Sequence, residues 1–146
     1  MALDAKSTDF LSRHGRAYLY VLAADGTARG WPMIARYHDG VLVMTTYRKA
    51  PKAAHLAQAQ RATVIVTSDE GASPFHYAVA EGLLTLRDIT PDMADDVTER
   101  IHGKVNSNTP GGAEMSGLFR ERLLEGKRAL IEVRVETAPL HTLEEA

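Results

Sequence analysis

The stretch YLYVLAADGTARGWPMIARYHDGVLVMTT, residues 18–46, contains two Asp-Gly pairs, Asp25-Gly26 and Asp39-Gly40, each flanked by β-rich sequence. Asp-Gly is the chemistry of a tight hairpin turn, because glycine accepts positive φ freely and aspartate tolerates it. Three extended runs, 18–23, 28–37 and 41–46, joined so closely predict an antiparallel meander. Strand-helix-strand units would need a crossover of a dozen or more residues at each join.

Working outward, Ser7 or Thr8 offers a helix cap before Phe10, Leu11 and His14, with Gly15 as the stop. Downstream, the alanine-rich segment Lys49 to Ala57 carries Pro51 where a first helical turn would place it. A β-branched run at 62–67, a polar loop at 68–74 and a strand at 77–87 follow, with Gly82 in mid-run predicting a bulge or a close backbone approach. Thr90-Pro91-Asp92 opens a helix whose Met93, Val97 and Ile101 lie four apart, and Gly103 stops it. Residues 105–112, rich in Asn, Ser, Pro and Gly, read as a mobile loop. Met115, Leu118, Phe119, Arg122 and Leu123 then recur at helical spacing. Finally Ile131, Val133 and Val135 alternate with charged residues as a half-buried strand. The sum is a mainly β chain with short helices and about six strands, best closed as an antiparallel split β-barrel that leaves few sheet edges.

At 146 residues, the length suits a single domain spanning 1–146. With 45% hydrophobic and 25% charged residues the chain should fold, and a net charge of −2 disfavours general binding to nucleic acid or anionic membrane. The absence of cysteine removes disulfides, thiolate nucleophiles and cysteine-held metals. No apolar run approaches the roughly 20 residues of a membrane span. The start, MALDAKSTDF, lacks the basic-then-apolar pattern of a signal peptide, so a cytoplasmic location is expected.

The stretch with most chemistry is VMTTYRKAPKAAHL, residues 43–56. A strand ends in Thr45 and Thr46, the cations Arg48, Lys49 and Lys52 follow, and a helix begins near Pro51. Free N–H groups and the positive dipole end of a helix start, together with hydroxyls and ammonium groups, suit a phosphate. The same residues read equally as a solvated turn. Pleating turns Thr45 and Thr46 to opposite faces, so one of them at most should reach the anion. Arg29-Gly30-Trp31-Pro32-Met33 interrupts its strand with a proline, leaving either backbone groups free for a planar ligand or a plain edge strand with one core tryptophan. The six histidines are scattered without metal-ligand spacing, and no GxSxG, P-loop or GxGxxG is present. With no nucleophile or metal cage, the residues fit a plain binder or an enzyme whose cofactor does the chemistry.

Three stretches, taken together, resemble the pyridoxamine 5′-phosphate oxidase-like split β-barrels, most closely the branch of small flavin- and deazaflavin-dependent reductases. They are FLSRHGRAYLYVLAADGTARGWPMIARYHDGVLVMTT, KAPKAAHLAQAQRATVIV with Lys52 on the family lysine, and HYAVAEGLLTL. The resemblance implies a homodimer with a cofactor, coenzyme F420 or FMN, at the subunit interface. The phosphate is expected near Lys52, flanked by Thr45, Thr46, Arg48 and Lys49. Pro32, Met33 and Ala35 would line the ring, and Tyr77 would wall it. Trp31, Met33 and residues 105–115 would shape the pocket of a small organic substrate that receives a hydride. Three positions depart from the family pattern: Ala50 for Ser or Arg, Ala54 for Arg and His55 for Asn. Alternatives are a cofactor store without turnover, or a haem or other tetrapyrrole binder using His55, His76 or His102.

Overall fold

Asp39 and Gly40 both take positive φ, 52° and 82°, the backbone of a two-residue type I′ turn. They join β3 (Arg36–His38) to β4 (Val41–Tyr47), with Arg36 opposite Val43 and His38 opposite Val41. The other Asp-Gly pair joins β1 (Arg16–Leu22) to β2 (Ala28–Ile34). There the Ala23 N–H donates to the Thr27 carbonyl at 2.8 Å, and Asp25 Oδ1 accepts from the Thr27 N–H at 3.0 Å. These coordinates are a computed structural model and describe residues 3–69, 71–102 and 112–143.

Both hairpins are present, yet they do not lie side by side as a flat meander. The second extended run breaks at Ala35, which is fully buried and donates its N–H to the Gly15 carbonyl at 2.8 Å. With β5 (Arg61–Thr67), β6 (Phe75–Asp88) and β7 (Arg128–Thr137), the order across the sheet is β2-β1-β5-β6-β7-β4-β3. The two strands at its ends, β2 and β3, are one continuous run of chain. The antiparallel sheet therefore curls until its edges meet through Ala35. Counting that bent run once gives the six expected strands. A further strand, β8 (Leu140–Leu143), pairs with the start of β6. Its sequence, LHTL, carries no alternation that would announce it.

The inward faces of the strands fill the barrel. Ala17, Leu19 and Val21 of β1, Leu42 and Met44 of β4, Val64 and Val66 of β5, Ala78, Ala80 and Leu84 of β6, and Ile131 and Val133 of β7 form one cluster. Helix α1 (Ala5–Arg13) adds Phe10 and Leu11 to it. The cap of α1 is Asp4, whose carboxylate accepts from the Ser7 N–H at 2.7 Å, so the helix starts earlier than Ser7 or Thr8 as caps would have it. Ser7 instead donates its hydroxyl to the Ala138 carbonyl at 2.6 Å. Helix α2 (Pro51–Gln58) buries Ala53 and Leu56. After a 3₁₀ turn at Pro91–Met93 come α3 (Ala94–His102) and α4 (Gly112–Leu124). These helices cover the outer side of β4 and β7, where Val43 and Leu130 join Val97, Ile101 and Leu123 in a second cluster. Burial on both faces explains the unbroken apolar run VLVM in β4.

Gly82 sits where the pairing of β6 with β7 shifts register between Glu81 and Gly82, as its mid-strand position predicted. No helix among the described residues is long and apolar enough to cross a membrane.

Candidate functional site

After β4 ends at Tyr47, the chain turns through residues 48–50 and enters α2 at Pro51. The cap position is Ala50, which makes no side-chain hydrogen bond to the helix, and Pro51 brings no N–H of its own. The Ala53 N–H turns back to the Ala50 carbonyl at 2.9 Å, which leaves the Lys52 N–H of this first turn without a side-chain cap. Lys52 stands on this turn, half-buried, with Nζ 3.7 Å from Met33 Sδ. A thioether is a poor acceptor, so the ammonium remains available to a better one.

Here a groove of about 480 Å³ opens, lined by Pro32, Met33 and Ile34 of β2, Thr45 to Tyr47 of β4, Ala50 and Lys52, Ile101 and His102 of α3, Phe119 of α4 and Arg128 of β7. Among the described residues two full cations line it and no carboxylate does. Thr46 is 3% exposed, and its hydroxyl is buried with no hydrogen-bond partner among the described residues; Arg128 Nε is in the same state. The rest of the Arg128 guanidinium lies over the Tyr47 ring, 4.3 Å from its centroid, and donates through Nη2 to the Tyr47 hydroxyl at 3.0 Å. A buried donor without a partner costs about 1–3 kcal/mol. Two such donors in one cationic groove fit an anionic group such as a phosphate.

Of the residues expected at the site, Lys52, Thr45, Thr46, Pro32 and Met33 come together in this groove. The two threonines divide as the pleat requires: Thr45 is half-buried, and Thr46 alone hides an unpaired hydroxyl. The others lie elsewhere. Arg48 donates to the carbonyls of Arg128 at 3.2 Å and Ile89 at 2.9 Å and pairs with Asp88 at 3.4 Å, fastening the ends of β6 and β7 to β4. Lys49 is exposed on the turn, and Ala35 is sealed in the barrel. Tyr77 stacks on His141, with ring centroids 5.0 Å apart, and Trp31 packs on the core with His55 6.1 Å away. His76 shares a hydrogen bond of 2.9 Å with Thr142, on another side of the barrel. Of residues 105–115, expected to help shape a substrate pocket, 105–111 lie outside the described residues and 112–115 begin α4.

Sequence reading missed Arg128, Tyr47 and Phe119 as groove residues, and it singled out His102 only as a candidate tetrapyrrole ligand. Arg128 reaches the groove only because β4 pairs with β7, which sets it opposite Tyr47. His102 ends α3 with its ring edge-on to Phe119, centroids 4.7 Å apart at 67°. Although its side chain is exposed, the protein packed against one side of the ring desolvates it, and this, then the nearby Arg36 charge, lowers its pKa from the usual 6.5. The unfolded chain therefore takes a proton at this position at higher pH than the folded chain does. Folding stability should fall as pH drops below 6.5. Denaturant midpoints measured between pH 7.5 and 5.5 check this, and His102→Gln should reduce the slope.

No family model and no curated protein sequence matches the chain. Among solved structures it is similar to the conserved hypothetical protein Rv2991 from Mycobacterium tuberculosis, with TM-score 0.70 and 17% identity over 100% of this chain and 91% of that one. It is similar to an F420 reductase, with TM-score 0.62 and 17% identity over 93% and 98% of the two chains. A candidate pyridoxamine 5′-phosphate oxidase from Listeria innocua gives TM-score 0.60 and 15% identity over 96% and 97%. At such identities the likeness is one of chain path. This chain thus has the mainly β, antiparallel split-barrel fold of the pyridoxamine 5′-phosphate oxidase-like proteins.

Proposed function

We propose that the protein is an oxidoreductase holding a flavin-type cofactor, coenzyme F420 or FMN, with its phosphate between Lys52, Thr46 and Arg128. The observation carrying this reading is the pair of buried donors unpartnered among the described residues, Thr46 Oγ1 and Arg128 Nε, in a groove whose described lining has two cations and no carboxylate. The F420 reductase and the candidate pyridoxamine 5′-phosphate oxidase of like fold support the cofactor class.

When bound, such a ring supplies the hydride that a small unsaturated or aromatic substrate accepts. The chain's own residues do simpler work. Lys52 and Arg128 would neutralise the phosphate, Thr46 would satisfy its hydroxyl on it, and the backbone N–H of Lys52 at the start of α2 would add a further donor. Pro32, Met33 and Ile34 give the ring an apolar edge from which water is excluded.

A second copy of the chain would complete the groove. The outer side of β1 and β2 exposes Tyr18, Tyr20, Leu22 and Ile34, the last two at 70% and 57%. Pro32 and Ile34 belong both to this apolar face and to the groove wall. A homodimer seated on the face would place the cofactor at the subunit interface. Ile34→Glu should convert a dimer to a monomer in sedimentation experiments and weaken cofactor binding with it; a variant that stays dimeric contradicts this placement.

Titration of the purified protein with FMN and with F420, followed by ring fluorescence, tests the reading. At least one is expected to saturate well below 1 mM. If neither does, the binding free energy is weaker than about 4 kcal/mol and the reading fails. Loaded protein should also lose its reducing equivalents faster when an enone or quinone is added without oxygen, which a mere cofactor store would not do. Thr46→Val removes the unpaired hydroxyl at constant shape. It is expected to stabilise the cofactor-free fold by about 1–2 kcal/mol, read from denaturant midpoints, while weakening cofactor affinity.

A further inference from the structure

We infer that His102 is a ligand-binding residue of this groove, and that its imidazole takes up a proton when an anionic ligand enters. This rests on the reading of the groove as an anionic cofactor site.

His102 lines the groove on the wall formed by α3 and α4, where its exposed ring meets Phe119 edge-to-face. Its ring nitrogens have no hydrogen-bond partner among the described residues. Among the described residues, the charged group that acts on its titration is a cation, Arg36. Arg36 comes from β3, with its Nε held by the Ile101 carbonyl at 3.1 Å, while Lys52 from α2 and Arg128 from β7 line the same groove. From β4 the groove receives the Tyr47 phenol, and from α4 the uncharged Phe119 ring. Nearby carboxylates are exposed or engaged: Glu99 is exposed one turn back on α3, Glu132 pairs with Arg100 at 2.9 Å, and Asp95 with Arg120 at 2.5 Å. In this surrounding the free imidazole is neutral at pH 7, consistent with its lowered pKa.

An anion in the groove reverses the local field and accepts a hydrogen bond from the ring, so protonation and anion binding favour each other. The coupling is reciprocal. A rise of about one unit in the His102 midpoint equals a tenfold gain in anion affinity below both midpoints relative to above them. His102 thereby makes the groove bind anions more tightly as the solution becomes mildly acidic.

The test follows the histidine Cε1–H resonances by NMR between about pH 5 and pH 8, with His102→Gln assigning one signal among the six. Spectra are taken of the protein alone, of protein saturated with FMN or F420 as judged by fluorescence, and of protein with inorganic sulfate, whose charge is constant over this range. The expected result is a His102 midpoint that rises by about 0.5–1 unit with ligand, and sulfate affinity about three- to tenfold higher at pH 5.5 than at pH 7.5. Both effects should be lost in His102→Gln. A cofactor that saturates while the His102 midpoint stays fixed, or a pH dependence that survives in His102→Gln, overturns the role of His102 and leaves the cofactor reading standing. Binding of none of the three ligands overturns both.

Discussion

Lys52→Ala should bind its cofactor about 10- to 100-fold more weakly than the wild type, with folding stability nearly unchanged. A hydrogen bond to a charged partner contributes about 1.5–3 kcal/mol, and in this groove the ammonium is the cation set on the first turn of α2. Stability is spared because the hydrogen bond that Nζ makes among the described residues is the weak one to the Met33 thioether at 3.7 Å. Neighbouring cations should respond differently, which makes the comparison informative. Lys49 is exposed outside the groove, so Lys49→Ala should change affinity by less than about threefold. Arg48 spends its guanidinium on two backbone carbonyls and Asp88, so Arg48→Ala should cost about 1–3 kcal/mol of stability. Fluorescence titration and denaturant melts on the three variants separate these outcomes.

Gly82→Ala is expected to have the largest effect on the fold, at least about 3 kcal/mol of lost stability. A Cβ at this position would lie 1.7 Å from the Arg134 carbonyl oxygen and 3.1 Å from the Val135 Cα. Neither is the movable end of a side chain, so relief would require β6 and β7 to separate at the bulge. Overpacking a core commonly costs 1–3 kcal/mol where side chains can shift; here the obstacle is backbone. The same strands carry Leu84 and Val133 of the barrel interior and, farther along β7, Arg128 of the groove. Thermal melts are the measurement, and a variant within about 1 kcal/mol of wild type would show that the two strands do not approach as closely as described.

Much of the barrel was legible because its signals are local. Two Asp-Gly turns, the alternation in β7, Pro51 at the head of α2 and Gly82 at the bulge each act over a few residues. The bend at Ala35 was not legible: nothing in ARGWPMIARYH separates one long strand from two short ones with different neighbours. What splits it is tertiary, namely the burial of Ala35 and its bond to Gly15. The site divides in the same way. Thr45, Thr46 and Lys52 lie within eight consecutive residues, so strand-turn-helix chemistry picks them out together. Arg128 is 81 residues from Tyr47, its hydrogen-bond partner, and joins the groove only through the pairing of β4 with β7. Arg48 shows the converse: it has the right charge in the right segment, but the carbonyls of Arg128 and Ile89, beside the ends of β7 and β6, claim its guanidinium.

The central claim is that the groove recognises phosphate. The most direct measurement compares each chromophore with its phosphate-free form, FMN with riboflavin and F420 with its dephosphorylated ring system, in wild type and in Lys52→Ala. The account predicts that for the chromophore that binds, the phosphorylated form is held at least about tenfold more tightly by the wild type, and that most of this preference disappears in Lys52→Ala. Equal affinity for the two forms in the wild type, or a preference undiminished in Lys52→Ala, would contradict it.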